Sequence, residues 1–183
     1  MAALLPALAL AIALGIGLSR RDGSGTGTTP LWGTNTSGLA GRLGALGLPG
    51  EDGGAIHIHQ HLDVYVRGRH IVVPAEIGLT ASFGAPLHTH DATGVIHLES
   101  PIVRSYTLGD FFGVWGVRLT RTCLGNFCAS GSARLRAYVD GKPVSGSPAK
   151  IVLAPHQEIV VAYGTQAQLP KPVPSTYRFA AGL

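Results

Sequence analysis

The chain has 183 residues, enough for one domain with its own core. Only 13% of residues are charged, 45% are apolar and 26 are glycine. That composition argues against a charge-rich disordered chain and suits short strands between turns better than a helical bundle. The net charge of +4 comes from scattered Arg and Lys with no run of basic residues and interleaved aromatics, so nothing points to a nucleic-acid partner.

Residues 2–18 are apolar without a charge, a length between a signal-peptide core and a full membrane span. No small-residue cleavage site follows; Ser19-Arg20-Arg21-Asp22 comes instead. Residues 1–21 are therefore expected to be a membrane anchor, with a cleaved signal and a secreted product as the alternative. Arg20 and Arg21 behind the apolar run favour a cytosolic domain by the positive-inside tendency. The cysteines favour the opposite side. Cys123 and Cys128 are the only two, spaced for a small disulfide loop that persists only in an oxidising compartment. A thiolate metal pair is the competing reading, and no second cysteine pair supports it. The expected location is the extracytoplasmic face of a membrane.

Residues 22–36 are rich in Gly, Ser and Thr and read as a flexible linker; residues 37–183 read as a single β-rich domain. Within that domain Ser37 is positioned to cap a short helix carrying Leu39, Leu43 and Leu46 on one side, stopped by Pro49.

His57-Ile58-His59-Gln60-His61-Leu62-Asp63-Val64-Tyr65-Val66 alternates with period two. Ile56, Ile58, Gln60, Leu62, Val64 and Val66 form one face, and His57, His59, His61, Asp63 and Tyr65 the other. Side chains two apart on a strand point the same way, so three imidazoles share a surface. Of the 8 histidines, seven lie between His57 and His97. Arg67-Gly68-Arg69 is a tight turn, and the chain returns through His70-Ile71-Val72-Val73-Pro74 as a hairpin.

A second hairpin is expected from Leu87-His88-Thr89-His90 and Val95-Ile96-His97-Leu98-Glu99. Asp91-Ala92-Thr93-Gly94 joins the arms, with Asp suited to the start of the turn and Gly to its end. That register sets His90 against Val95 and His88 against His97, with the two opposed Cβ atoms about 5 Å apart. Thr107 to Asp110 reads as a capping box opening a short helix over 107–115 that ends at Gly116. Residues 134–139, 151–153 and 159–163 read as strands, with Asp140-Gly141 as a hairpin turn. From Gln166 onward the tail is Pro-punctuated and expected to lie along the surface.

The architecture expected is mainly β: a compact sandwich of hairpins with one short helix. A β-grasp-like sheet crossed by the 107–115 helix is the alternative. Neutral imidazole is a common ligand for zinc, copper and iron. The ligand pool is His57, His59, His61, His88, His90 and His97, of which three or four would bind directly. Asp63, Asp91 and Glu99 would supply a carboxylate ligand or orient the rings. His70 and His156 sit in or near turns and read as surface. A blue-copper site lacks its thiolate and its Met, so the nitrogen and oxygen donors point to zinc or copper ahead of iron.

Two segments, 56–66 and 86–100, resemble a family of exported or membrane-anchored bacterial proteins through their His-x-His-x-His and His-Thr-His-Asp…Ile-His-x-Glu motifs. The likeness extends through 107–115 and 156–161. The family carries no assigned activity, so the resemblance implies export and no catalytic residue. The His-x-His of the second hairpin is also similar to cupin metal motifs, but the acid expected a few residues later is absent and Glu99 comes too late. The function expected is a membrane-tethered, extracytoplasmic metal-binding protein. A metalloenzyme with an open coordination position and a metal-free interaction module are the alternatives. Neither the metal nor a protein partner is named by the sequence.

Overall fold

The computed structural model describes residues 30–50 and 53–183. The anchor expected at 1–21 and most of the linker lie outside the described residues. Among the described residues no helix is long and apolar enough to cross a membrane.

Helix α1 spans Leu39–Leu46 and precedes strands β1 (Ile56–Val66), β2 (Arg69–Ile71), β3 (Leu87–His88) and β4 (Val95–Ser100). Helix α2 (Leu108–Trp115) follows, then β5 (Cys123–Leu124), β6 (Phe127–Cys128), β7 (Arg134–Val139), β8 (Lys142–Pro143) and β9 (Glu158–Gly164). The mainly β class expected from the sequence is what forms. Seven strands make one mixed sheet in the order β3-β4-β1-β9-β7-β8, with β2 pairing on β1; β5 and β6 form a separate two-stranded ribbon.

Strand β1 is the axis of the sheet. Its first half pairs antiparallel with β4, its last three residues with β2, and residues 61–66 run parallel to β9. Alternation along β1 sorts the sheet into two unlike faces. Leu62, Val64 and Val66 point into the main core, joined by Ile96 and Leu98 of β4 and by Ile159, Val161 and Tyr163 of β9. Both helices press on that face: Leu39 and Leu43 from α1, and Leu108, Phe111, Phe112, Val114 and Trp115 from α2. Full burial of side chains of this size stabilises the fold by about 1.5–3 kcal/mol each. Gln60 shares the apolar face and is buried, its amide nitrogen donating to the Ile96 carbonyl at 2.8 Å.

The opposite face holds the histidines. Beside them lies a smaller apolar cluster of Val160, Ala162 and Leu169, with Tyr65, Tyr138 and Val173 packed against it. The C-terminal tail packs on part of this face through Leu169 and Val173.

Local chemistry explains most boundaries. Arg67 and Gly68 both have positive φ, 52° and 82°, as a two-residue hairpin turn demands. Asp140 and Gly141 do the same at 51° and 74°. The capping box of α2 is present in both directions, Thr107 accepting from the Asp110 amide and Asp110 from the Thr107 amide.

Two expectations need correction. The N-cap of α1 is Gly38 in the left-handed region with no side-chain cap bond, not Ser37, whose amide is held by Asn35 Oδ1. Residues 151–153 do not form a strand. Pro148 opens a single 3-10 turn, and Val152 makes one isolated bridge to Thr107. The carbonyl of Ile151 and the amide of Leu153 are instead used by the Leu108 amide and the Tyr106 carbonyl at the start of α2.

The Cys123 and Cys128 sulfurs are at disulfide distance, with Cα atoms 4.0 Å apart across the β5–β6 ribbon. A cross-link of this kind suits an oxidising environment.

Candidate metal centre

Three adjacent strands bring the histidines together. On β4, His97 faces His59 of β1 on one side and His88 of β3 on the other. The His88–His97 register is the one the Asp91–Gly94 turn predicts. Glu99, two residues on, faces His57 across the same β1–β4 pair. His90 follows β3 and folds back, its ring centroid 4.4 Å from that of His97 and 4.8 Å from that of His88. The rings of His59 and His97 meet edge to face at 4.5 Å. Five imidazoles and one carboxylate therefore converge on one patch of the outer face.

The donor atoms are closer still. His57 Nε2 and His59 Nε2 are 3.2 Å apart, as are His88 Nε2 and His90 Nε2. Glu99 Oε1 lies 3.3 Å from His57 Nε2 and 3.4 Å from His97 Nδ1. Four ligands around a tetrahedral ion with bonds of about 2.0–2.1 Å are separated by about 3.3 Å. These four spacings are close to the edges of such a tetrahedron, while His88 Nε2 stands further from Glu99 Oε1 at 3.9 Å. Two overlapping quartets could each hold an ion: His57, His59, His97 and Glu99, and His88, His90, His97 and Glu99.

Burial and hydrogen bonding prepare these rings for binding. His59, His88 and His97 are buried, while His57 and His90 are exposed and give solvent access. His88 donates from Nδ1 to the Ala85 carbonyl at 2.8 Å, which fixes the tautomer whose Nε2 lone pair faces the cluster. Buried His97 Nδ1 has no hydrogen-bond partner among the described residues, although Glu99 stands nearby. An orphaned, buried nitrogen costs free energy that a metal bond would recover. Burial, and then the nearby imidazoles of His59, His90 and His88, push the His97 pKa down to about 4, against the pull of Glu99. Burial and His57 also lower His59. Both rings are thereby kept neutral, the form a metal requires.

His61 stands apart from this patch. Its Nδ1 meets Glu158 Oε2 at 2.7 Å and its Nε2 meets the Thr93 carbonyl at 2.8 Å. Its ring stacks on Tyr177 of the tail, centroids 3.8 Å apart and planes 7° from parallel. Burial works to lower the His61 pKa, but the Glu158 hydrogen bond and charge outweigh it and the net direction is upward. His61, Asp63 and Glu158 form a third group that could hold an ion, though both His61 nitrogens are already engaged. Gly94, at φ 89°, lets the turn close against this ring: a Cβ there would lie 2.6 Å from the Leu62 carbonyl and 3.0 Å from His61 Nε2.

The expected carboxylates part company. Glu99 joins the cluster. Asp63 accepts from His70 Nε2 at 2.7 Å. Asp91 serves its own turn, accepting from the Thr93 amide at 2.9 Å and from the Thr93 hydroxyl, bonds that lower its pKa. His156 is exposed, its amide donating to the His59 carbonyl and its ring packing on Phe179. Glu158 and Tyr177 are absent from the residues expected above. Glu158 carried a signal, an acid opening the otherwise apolar run Ile159-Val160-Val161; Tyr177, in an irregular tail, carried none.

No family model, no curated protein and no solved structure matches this chain.

Proposed function

We infer that this chain is a metal-binding protein, tethered to a membrane and exposed on its extracytoplasmic side, that takes up zinc or cupric copper through His57, His59, His88, His90, His97 and Glu99. One observation carries the reading. Donors from three neighbouring strands crowd together, 3.2–3.4 Å apart in four pairs and 3.9 Å between His88 Nε2 and Glu99 Oε1, near the spacing of ligands round an ion, and one of them, His97 Nδ1, is a buried nitrogen without a hydrogen bond among the described residues. Imidazole and carboxylate donors without thiolate suit zinc and cupric copper. The outward location rests on the cysteine pair, and the tether on the apolar residues 2–18.

Elemental analysis of the purified full chain tests the binding. Zinc or copper is expected in stoichiometric amount in the parent protein and is expected to fall sharply in the His57→Ala/His88→Ala double variant. Equal metal in the two proteins would remove the proposed ligands from consideration. Cell fractionation of the full chain tests the tether: recovery in the soluble fraction alone would contradict it.

A second reading, metal-dependent catalysis, draws on the exposure of His57 and His90. Ligands at the solvent edge leave room for water or a substrate atom on the ion, which a closed structural site does not.

A further inference from the structure

We propose that the cluster holds two metal ions rather than one, bridged by Glu99, with one of them keeping a coordination position open to solvent. The proposal rests on the metal-binding reading above and specifies its capacity.

The sheet itself separates the donors into two sets. His57 and His59 belong to β1, His88 and His90 to β3 and the residues after it, and β4 runs between them. Neighbouring strands are about 4.7–4.9 Å apart, so β1 and β3 are separated by about twice that. An ion with bonds of about 2.0–2.1 Å reaches donors no more than about 4.2 Å from each other. Each set is tight within itself, at 3.2 Å between Nε2 atoms, and falls in a different quartet. His97 and Glu99, on the strand between, are the residues common to both quartets.

Sharing then decides the coordination. A carboxylate can bridge two ions, and Glu99 Oε1 already lies 3.3 Å from His57 Nε2 and 3.9 Å from His88 Nε2. His97, with its Nδ1 turned to Glu99, gives a nitrogen to one ion only. The first ion takes His57, His59, His97 and Glu99, a complete tetrahedral set. The second takes His88, His90 and Glu99, three protein ligands and one vacancy beside exposed His90. One carboxylate between two dications leaves surplus positive charge. A hydroxide or small anion from solvent would occupy the vacancy and offset it.

The test is zinc stoichiometry on the full chain, parent and variants, followed by cupric loading and electron paramagnetic resonance. Two zinc ions per chain are expected in the parent, about one in His57→Ala and about one in His90→Ala. Both substitutions are at exposed residues, and unchanged apo melting temperatures would show that the fold survives. Two cupric ions sharing Glu99 lie close enough to couple magnetically, and the coupled signal should vanish in either variant and weaken in Glu99→Gln.

One zinc ion per parent chain would overturn the two-ion proposal and leave the metal-binding reading standing. So would two cupric ions without coupling, or a second ion kept in both histidine variants and lost in Glu158→Gln. No bound zinc or copper at all would overturn both.

Discussion

His59 and His97 sit directly opposite each other on the β1–β4 pair, their rings edge to face with centroids 4.5 Å apart. The two histidines are 38 positions apart in sequence, and their contact joins two hairpins into one cluster. Several measurable properties hang on it.

The first concerns His97 itself. It is common to both quartets, whereas His70 and His156 belong to neither. His97→Ala should weaken zinc binding by at least about 10–100-fold, the loss usual even for removal of a ligand's supporting partner. His70→Ala and His156→Ala serve as controls and should bind as the parent does. Competition titration against a zinc chelator measures this, and equal affinity in all four proteins would exclude His97 as a ligand.

The second concerns pH. In the unfolded chain His97 takes up a proton near the ordinary value of 6.5; in the fold it does so only at about 4. Between those values the unfolded state binds more protons, so stability rises with pH and is lost as pH falls through that window. His59 is shifted in the same direction. His61 has a raised pKa, so its contribution is fully present below 6.5 and fades only as pH rises above it. Thermal melts of the metal-free protein should therefore show lower stability at pH 5 than at pH 6.5, with a shallower dependence in His97→Ala. Identical slopes for the two proteins would show that His97 is not the titrating group.

The third concerns the pair beside the cluster. His61 and Glu158 have side chains only 7% and 1% exposed. Removing one partner strands the other, so Glu158→Ala should cost roughly 3–5 kcal/mol of folding stability. Replacing both, as in His61→Leu/Glu158→Leu, should cost less than the single change. Because Glu158 belongs to neither quartet, zinc bound at the cluster should be unchanged at temperatures where the variant is folded. Urea titration and metal analysis on the same samples separate the two effects.

The fourth concerns the cysteine ribbon. Cys123 and Cys128 close a short loop, worth about 2 kcal/mol in the chain-entropy view. Trp32 rests on this ribbon, edge to face with Phe127 at 6.4 Å and with Trp115 at 5.8 Å. A Cys123→Ser/Cys128→Ser variant should lose about that much stability and shift its tryptophan emission to the red. It should keep its zinc, since no ribbon residue supplies a donor. Unaltered emission and melting would mean that the ribbon holds without its cross-link.

Much of this centre was legible in the chain. The period-two pattern placed His57, His59 and His61 on one face. The Asp91–Gly94 turn fixed His88 against His97 because turn length sets register between adjacent arms. What it could not supply was which strand lies beside β1. The β1–β4 and β1–β9 pairings depend on long-range packing, and no local rule sets them. For that reason His61 looked like a third member of the cluster, while β9 in fact brings Glu158 alongside it. Residues 151–153 had strand-like composition, but Pro148 and Pro155 bracket them and the α2 N-terminus uses their backbone groups. Tyr177 shows the limit in another way, since a residue in an irregular tail has no periodicity from which its contact could be read.

The borders of the main sheet are short. Strand β3 contributes two residues at one margin and β8 two at the other, the latter including Pro143, which lacks an amide hydrogen; β2 adds three. A neighbouring molecule seeking to extend the hydrogen-bond ladder would find little backbone to grip on these three short strands themselves. Side chains offer another route to joining two copies, and those at the solvent edge of the cluster include His57 and His90. Surplus zinc or copper could cross-link molecules there, and a chelator would release them in a way that no backbone-templated aggregate allows.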